Sequence, residues 1–144
     1  MNVLRIDANA TYPLRHRVLR QGFPIEECVF PGDEEEQTFH LGAFIDNSLV
    51  SVASFYFERN PEFEDEYQYR LRGMATDQEH RGKGLSSELL KVAFPIIKQN
   101  MCTMVWCNAR TSAVGFYEKV GFIKKGDEFD IPGIGPHYLM FKKF

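Results

Sequence analysis

The sequence predicts a mixed α/β fold in which strands and helices alternate along one chain. Segments rich in β-forming and apolar residues predict strands, and they are interleaved with segments whose apolar residues recur at helical spacing. No internal repeat or low-complexity linker interrupts this order. Of the 144 residues, 44% are hydrophobic and 14% aromatic, which is enough for one hydrophobic core. We therefore expect residues 1–144 to form a single domain.

The first elements are a short strand and a helix. Val3–Ile6 has the composition of a strand. Proline is favoured at the first position of a helix, so Pro13 predicts a helix start with Thr11 or Tyr12 as its cap. The apolar face of this helix would be formed by Leu14, Val18 and Leu19.

Residues 21–38 are predicted to form a loop with a short helical turn, because glycines and prolines recur through them. The loop contains four consecutive acidic residues, Asp33-Glu34-Glu35-Glu36. A calcium site would need oxygen ligands at a defined spacing, and no such pattern accompanies this run. We interpret it as a solvated acidic loop.

Three strands are expected next. Phe39–Ile45 and Leu49–Phe57 are rich in β-forming residues, and the sequence 46–48 between them suits the turn of a hairpin. Tyr67–Ala75 is the third and alternates apolar with polar residues. Gly73 inside it predicts a bulge or the close approach of another backbone.

The longest helix is predicted from Gly84 to about Gln99. Pro95 cannot donate a hydrogen bond to the carbonyl of Lys91, so it should kink the helix or end it early. The expected apolar stripe consists of Leu85, Leu89, Val92, Ala93 and Ile96.

The remaining chain predicts three strands and one short helix. Met101–Cys107 reads as a buried strand, and Ser112–Lys119 as a compact helix with Gly121 as its left-handed cap. The last two strands are expected at Phe122-Ile123 and Tyr138–Phe141.

The most informative motif is Arg81-Gly82-Lys83-Gly84-Leu85-Ser86, at the start of the long helix. Its two glycines let the backbone approach an anion closely, and the amides of the first helical turn point toward that anion. A nucleotide-triphosphate loop needs wider glycine spacing, and a dinucleotide fingerprint needs a third glycine where Ser87 stands. The motif therefore predicts a pyrophosphate cradle of another kind.

The chain resembles the GNAT superfamily of acyl-coenzyme A-dependent N-acyltransferases. Leu71–Thr76 is similar to the family's fourth strand, Arg81–Ser86 to its pyrophosphate loop, and Asn108–Phe122 to its fifth strand and following helix. The resemblance implies a mostly antiparallel, twisted sheet of about six to seven strands flanked by about four helices. It also implies acetyl-coenzyme A as the acyl donor, with no metal. One departure is Glu79, which stands where the family usually has Gln or Arg.

The resemblance also implies roles for individual residues. Tyr117 would protonate the departing thiolate, although it could instead be a core aromatic beside Phe116. Asn108 would contact the pantetheine arm or the thioester, although it could instead cap the next helix. The donor-binding set as a whole is Met74, Ala75, Thr76, Arg81, Gly82, Lys83, Gly84, Leu85, Ser86 and Asn108. A main-chain amide of Met74 or Ala75 could stabilise the oxyanion.

No general base is identified by the sequence. The candidates are His40, Glu58, Glu66, Asp77 and His137, and each is better explained as a strand-end or surface residue. His137 stands out because residues 133–137 are expected to place it where a substrate loop meets the last strand. Arg70 and Arg72 share a strand face and could recognise an acidic substrate, but pairing with carboxylates is favoured.

Composition argues against several other classes of protein. A net charge of -3 and a pI near 5.8 supply no general basic field for nucleic acid. The three cysteines do not form a disulfide framework, and Cys102 and Cys107 are expected to be buried thiols. No apolar segment approaches the ~20 residues that span a bilayer, and the start lacks a signal peptide, so we expect a cytoplasmic protein without a membrane partner. A homodimer is left open.

These observations predict an N-acetyltransferase that moves an acetyl group from acetyl-coenzyme A to a primary amine, a small molecule in the first instance, by direct attack. Two alternatives stay open. One is a non-catalytic acyl-coenzyme A sensor, and the other is an enzyme that acetylates the lysines or N-termini of proteins.

Overall fold

The computed structural model describes residues 1–144 and contains a seven-stranded sheet with three α-helices. The strand order is β1-β2-β3-β4-β5-β7-β6. The pairs β1–β2, β2–β3, β5–β7 and β6–β7 are antiparallel, and β4–β5 is parallel. This confirms the predicted mixed, mostly antiparallel fold. The elements are β1 Asn2–Ile6, α1 Ala8–Leu14, β2 Phe39–Ile45, β3 Ser48–Phe57, β4 Gln68–Thr76, α2 Leu85–Gln99, β5 Met104–Arg110, α3 Val114–Lys119, β6 Ile123–Ile131 and β7 Gly135–Lys143.

The chain divides into two compact units. The first contains residues 1–57 and 71–96, and the second contains residues 58–70 and 97–144. Strand β4 contributes to both, and its pairing with β5 at residues 68–70 lies in the second unit. A single domain over the whole chain stays a prediction.

A small apolar cluster holds helix α1 of the first unit against strands β3 and β4. Leu14 of α1, Val52 of β3 and Ala75 of β4 are buried together. Partly buried side chains pack around them, namely Ile6, Val18, Leu19 and Leu49.

Asp46 and Asn47 have φ angles of 49° and 66°, and they close the β2–β3 hairpin as predicted.

The first helix begins earlier than the sequence indicated. It starts at Ala8 with Asp7 at the N-cap position, so the predicted start at Pro13 and the caps at Thr11 or Tyr12 are wrong. Pro13 lies inside the helix, and it is exposed together with Asn9. Water can therefore satisfy the Asn9 carbonyl that the proline leaves without a donor. A π-helical segment, Arg15–Leu19, follows directly.

The acidic run is only partly a solvated loop. Glu34, Glu35 and Glu36 are exposed as expected, but Asp33 is buried and bonded to Arg15. The predicted helical turn in this region is present at Ile25–Cys28.

Pro95 does not end helix α2, which continues to Gln99. The proline is exposed, so the lost hydrogen bond faces water and the apolar face is left intact. Leu85, Leu89 and Ala93 are buried as predicted. Val92 is 37% exposed, and the stripe is completed instead by Leu90 and Ile97.

The strands of the second unit are longer or later than expected. Strand β5 begins at Met104 because Met101 adopts a φ angle of 63° in the turn after α2. Strands β6 and β7 form a hairpin that extends well beyond the predicted residues. The core of this unit is formed by Phe63, Met104, Trp106 and Leu139, with Phe141 packed against them.

Candidate functional site

The glycine-containing loop adopts the backbone geometry that only glycine takes up readily. Gly82 and Gly84 have φ angles of +79° and +77°, and no atom lies within 4 Å of the position of a side-chain Cβ at either residue. Residues 81–84 are exposed. The backbone of this loop is therefore open to a ligand, and a side chain at either glycine would strain it.

Helix α2 begins directly after the loop and adds a favourable electric field. The amide of Glu88 donates to the carbonyl of Gly84 at 3.1 Å, so the amides of the preceding turn have no acceptor inside the helix. The helix has 15 residues, and the positive end of its dipole lies at this loop. Exposed glycines and unpaired helical amides together can bind a phosphate group.

Hydrogen bonds connect the end of β4 to the start of α2. The hydroxyls of Thr76 and Ser86 are 3.2 Å apart, and the Thr76 hydroxyl also lies 2.8 Å from that of Ser51. Arg81 Nε donates to the Thr76 carbonyl at 3.4 Å. The structure thus brings Thr76, Arg81 and Ser86 together within the first unit.

Two exposed cations belong to this loop, Arg81 and Lys83. Lys83 Nζ lies 3.1 Å from His80 Nδ1, at the end of the single turn Gln78–His80. Glu79, the departure from the family pattern, is exposed on the same turn. The charge around the loop is therefore mixed, with two cations beside one carboxylate.

The predicted irregularity in β4 is present at Gly73, where φ is +68°. A Cβ here would lie 3.1 Å from Phe30 Cε2 and 3.3 Å from Arg15 Nε. The atoms that approach Gly73 closely are therefore side chains, whereas the sequence suggested either a bulge or the approach of another backbone. Met74, the next residue, is half-buried, and Ala75 is buried.

A buried polar network lies behind Gly73. The Arg15 side chain has no exposed surface and bonds both carboxylate oxygens of Asp33, at 2.7 and 3.0 Å. Asp33 also accepts hydrogen bonds from the Tyr56 hydroxyl at 2.6 Å and the Phe30 amide at 2.8 Å. Burial alone would raise the pKa of Asp33, but the hydrogen bonds from Arg15 and Tyr56 outweigh it and hold the pKa below its usual value.

His40, one of the candidate bases, belongs to this network. Its Nδ1 lies 2.6 Å from the Ser54 hydroxyl, and its Nε2 lies 3.0 Å from the Asp33 carbonyl. Burial lowers the pKa of His40, so the neutral ring is favoured. Both ring nitrogens are engaged in holding the network, which is a structural role.

Three other candidate bases are surface groups, and two of them form ion pairs. Glu58 pairs with Arg70 at 3.1 Å, as predicted for that arginine, and Asp77 pairs with Arg17 at 3.1 Å. The Arg17 guanidinium holds the pKa of Asp77 below its usual value. Glu66 is exposed.

His137 lies in a strand and not in a loop. It is 4% exposed in β7, opposite Arg110 of β5 and Phe129 of β6. Its Nδ1 lies 2.8 Å from the Gly135 carbonyl. The turn at 132–134 meets β7 at Gly135, two residues before His137, and the prediction that this turn belongs to a substrate loop stays untested.

Tyr117 lies in α3 of the second unit and is 8% exposed. Its ring contacts those of Phe116 and Phe122, each with a centroid distance of 5.2 Å. The Tyr117 carbonyl accepts a hydrogen bond from the Phe122 amide at 2.9 Å, and the Gly121 amide bonds the Glu118 carbonyl at 3.1 Å. With Gly121 at φ +102°, these bonds form a Schellman motif and confirm the predicted glycine cap.

Burial also controls the acidity of this phenol. It raises the pKa of Tyr117 well above the usual value, and the neighbouring Cys107 adds to the effect. The group is therefore protonated throughout the neutral range and can donate a proton.

Asn108, on the preceding strand, is half-buried and opposite Leu139 of β7. It lies inside β5, so the alternative role of capping the next helix is wrong.

The cysteines are buried and free, as predicted. Burial raises the pKa of Cys102 to about 11 and that of Cys107 further. Neither thiol is ionised at neutral pH, so neither is an effective nucleophile.

No group of three or more His, Cys, Asp or Glu is arranged to hold a metal ion, and none of the helices is long and apolar enough to cross a bilayer.

Sequence reasoning missed the buried network around Arg15. Charged residues are almost never buried without a partner, and the side chains that bond Arg15 are 18 to 41 positions away in sequence. A weak signal was available in β3, where Ser54 and Tyr56 stand at the same alternation as the buried Val52. Polar groups on the core face of a strand indicate a buried hydrogen-bonding partner.

Comparison with known proteins identifies the family. Residues 6–122 match the model of the acetyltransferase (GNAT) family. The chain is 42% identical over 142 residues to the uncharacterized N-acetyltransferase YitI of Bacillus subtilis (strain 168), covering 99% of this chain and 95% of that protein. The chain therefore belongs to the acetyltransferase (GNAT) family.

Solved structures agree at the level of the fold. Escherichia coli ElaA superposes with a TM-score of 0.77 at 16% identity, covering 99% of each chain. An aminoglycoside 6'-N-acetyltransferase complexed with coenzyme A gives a TM-score of 0.79 at 12% identity, covering 99% of this chain and 97% of that one. Family membership supports acetyl transfer from acetyl-coenzyme A as the class of reaction.

Proposed function

We propose that this protein is an N-acetyltransferase that transfers the acetyl group of acetyl-coenzyme A to the primary amine of a small molecule, through a ternary complex and without an acyl-enzyme. The observation that carries the proposal is the exposed loop with Gly82 and Gly84 at positive φ, at the start of the 15-residue helix α2. Such a loop suits a diphosphate, which coenzyme A contains.

The donor would be held mainly by main-chain groups. We assign the pyrophosphate to the loop and first helical turn, and the pantetheine arm to the end of β4, where an extended chain can bond as an additional strand would. Asn108 would contact the same arm from β5. The residues proposed for donor binding are Met74, Ala75, Thr76, Arg81, Gly82, Lys83, Gly84, Leu85, Ser86 and Asn108.

The proposed reaction is a direct acyl transfer. The amine nitrogen attacks the thioester carbonyl, a C–N bond forms, and the oxyanion that develops would be stabilised by an amide of Met74 or Ala75. The C–S bond then breaks, and the thiolate takes a proton from Tyr117. The nitrogen loses a proton, and the phenol is reprotonated from solvent. The thiol is a fair leaving group, with a pKa of ~8.5, so the phenol assists the step without being indispensable.

The acceptor amine must be neutral to attack. An alkylamine of pKa ~10.4 is neutral in only about one molecule in 2,500 at pH 7, so proton removal matters for the rate. His40, Glu58 and Asp77 are each engaged by protein partners. We assign no residue as general base and propose that water receives the proton. The cytoplasmic location and the single domain stay predictions, and a homodimer stays open.

Release of the coenzyme A thiol during incubation with a panel of amines tests this function. An acetyltransferase releases thiol in proportion to an acceptor, and the acetylated amine appears in equal amount. A sensor would bind acetyl-coenzyme A by calorimetry but release no thiol above the rate of hydrolysis. A preference for peptides over every small amine would support the protein-modifying alternative and contradict the proposed acceptor class.

A further inference from the structure

Three guanidinium groups surround one aromatic ring in the first unit. The Cζ atoms of Arg15, Arg72 and Arg20 lie 4.1, 4.3 and 5.4 Å from the ring centroid of Phe30. They come from separate elements, namely the π-helical segment, β4 and the loop after the π-helical segment. Phe30 is 4% exposed, whereas Arg20 and Arg72 are half-buried. Solvent can therefore reach the positive charges of Arg20 and Arg72 at this ring, whereas the Arg15 side chain lies wholly behind them in the interior.

A carboxylate of the protein balances the charge of Arg15 but not that of Arg20. Asp33 takes both terminal nitrogens of Arg15. Arg20 forms no ion pair, and its Nη1 donates to the Leu19 carbonyl at 3.1 Å. The nearby carboxylates Glu26 and Glu27 are exposed on the Ile25–Cys28 turn. Arg20 thus has donors to offer to an anion from outside the chain.

A second observation points to a ligand at the same place. Arg15 Nε is buried and has no hydrogen-bond partner. It lies 3.3 Å from the position that a Cβ of Gly73 would occupy, and Phe30 Cε2 lies 3.1 Å from that position. A buried N–H without a partner is costly, so an oxygen atom supplied by a ligand or its water would stabilise this arrangement.

We propose that the group around Phe30, formed by Arg20, Arg72 and Arg15, recognises a carboxylate carried by the acceptor amine. The planar fork of a guanidinium matches the two oxygens of a carboxylate. Gly73 directly precedes the Met74–Thr76 segment proposed to bind the pantetheine arm, so a carboxylate held here would position its amine along β4. The inference rests on the proposed function and narrows its acceptor to amines that carry an acidic group.

Matched acceptors measure this preference directly. The value of kcat/KM is compared for 5-aminopentanoate and pentylamine, with 2-aminoethyl phosphate and β-alanine as a second pair. The wild type should prefer 5-aminopentanoate over pentylamine by about 10- to 100-fold, the range of a charge-assisted contact. Arg20→Gln should remove most of this preference by raising KM for 5-aminopentanoate, while kcat and the kinetics of pentylamine stay unchanged. Arg20→Lys keeps the charge without the fork and should retain an intermediate preference.

The matched control is Lys98→Gln, which removes one positive charge from an exposed position on α2. It should leave the preference unchanged. Circular dichroism establishes that each variant is folded. If Arg20→Gln fails to fold, the wild-type preference and Arg20→Lys still decide the result.

A binding arm separates this inference from the proposed function. Calorimetry compares 5-acetamidopentanoate with N-pentylacetamide on protein saturated with coenzyme A. The site is supported if 5-acetamidopentanoate binds to the wild type and not to Arg20→Gln. This holds even if no amine is acetylated, a result that would overturn only the proposed function. Acetylation of both amines with equal efficiency overturns this inference and leaves the function standing. A preference for 2-aminoethyl phosphate over β-alanine also overturns the carboxylate assignment. If no amine is acetylated and 5-acetamidopentanoate does not bind, both proposals are overturned.

Discussion

Replacement of Gly84 by alanine tests the proposed donor loop at its most constrained residue. Gly84 has a φ angle of +77°, and no atom lies within 4 Å of its Cβ position, so alanine fits sterically but must adopt a left-handed backbone. That conformation costs a residue with a side chain about 1–2 kcal/mol. The change therefore isolates backbone strain from any clash within the protein.

The strain can be measured in two ways. If the loop keeps its geometry in the free protein, Gly84→Ala lowers the free energy of unfolding by about 1–2 kcal/mol. If the loop relaxes when free, the same cost is met on binding, and the affinity for acetyl-coenzyme A falls by about 5- to 30-fold. A Cβ directed at the diphosphate would add to the loss of affinity.

Urea unfolding and calorimetry with acetyl-coenzyme A together measure both parts. The matched control is Gly126→Ala, because Gly126 has a φ angle of +80° and equally open surroundings in β6. It should lose similar stability and keep its affinity for acetyl-coenzyme A. A Gly84→Ala variant with unchanged stability and unchanged affinity would refute the reasoning.

The remaining predictions concern the phenol, the buried network and the thiols. Tyr117→Phe should lower kcat with little change in the affinity for acetyl-coenzyme A, and an unchanged kcat would contradict this. Because burial raises the pKa of Tyr117, the activity of the wild type should show no loss from deprotonation of this phenol below pH 10. Asp33→Asn should lower the free energy of unfolding by about 3–5 kcal/mol by leaving Arg15 buried without its partner, and a loss below 1 kcal/mol in urea unfolding would contradict it. The pKa of His40 is lower in the folded state, so the unfolded state binds more protons as the pH drops below about 6.5. The free energy of unfolding should therefore fall in this range, and His40→Gln should remove this dependence on pH. The lowered pKa of Asp33 gives stability that is present above about pH 4 and lost as pH falls further. Native protein should react slowly with a thiol reagent, and rapid labelling of Cys102 or Cys107 before unfolding would contradict their burial.

The fold could largely be predicted because local signals and burial agree in most elements. The composition of β2 and β3, whose side chains are buried on both faces, and the apolar spacing in α2 agree with the observed burial. The predicted helix start at Pro13 was wrong and Pro95 does not end α2, for a common reason. Pro13 and Pro95 both lie on exposed helix surfaces, where water replaces the lost hydrogen bond, and sequence alone does not say which face of a helix is exposed.

Some features of the candidate site could likewise be predicted from the sequence, and others could not. The positive φ angles at Gly82 and Gly84 could be anticipated, because glycine spacing before a helix carries that information. The burial of Asp33 could not, because it depends on a contact with Arg15, 18 positions away in the sequence. The positions of Arg20 and Arg72 around Phe30 are of this second kind.

The most direct test of the central claim is an NMR titration of labelled protein with acetyl-coenzyme A. Main-chain amides that bind a diphosphate should shift strongly on saturation, and we expect this for Gly82, Gly84, Leu85 and Ser86. The amides of Gly126 and Gly133, which also have positive φ, should stay in place. Saturable binding without a shift in the first group, or no binding at all, would contradict the account.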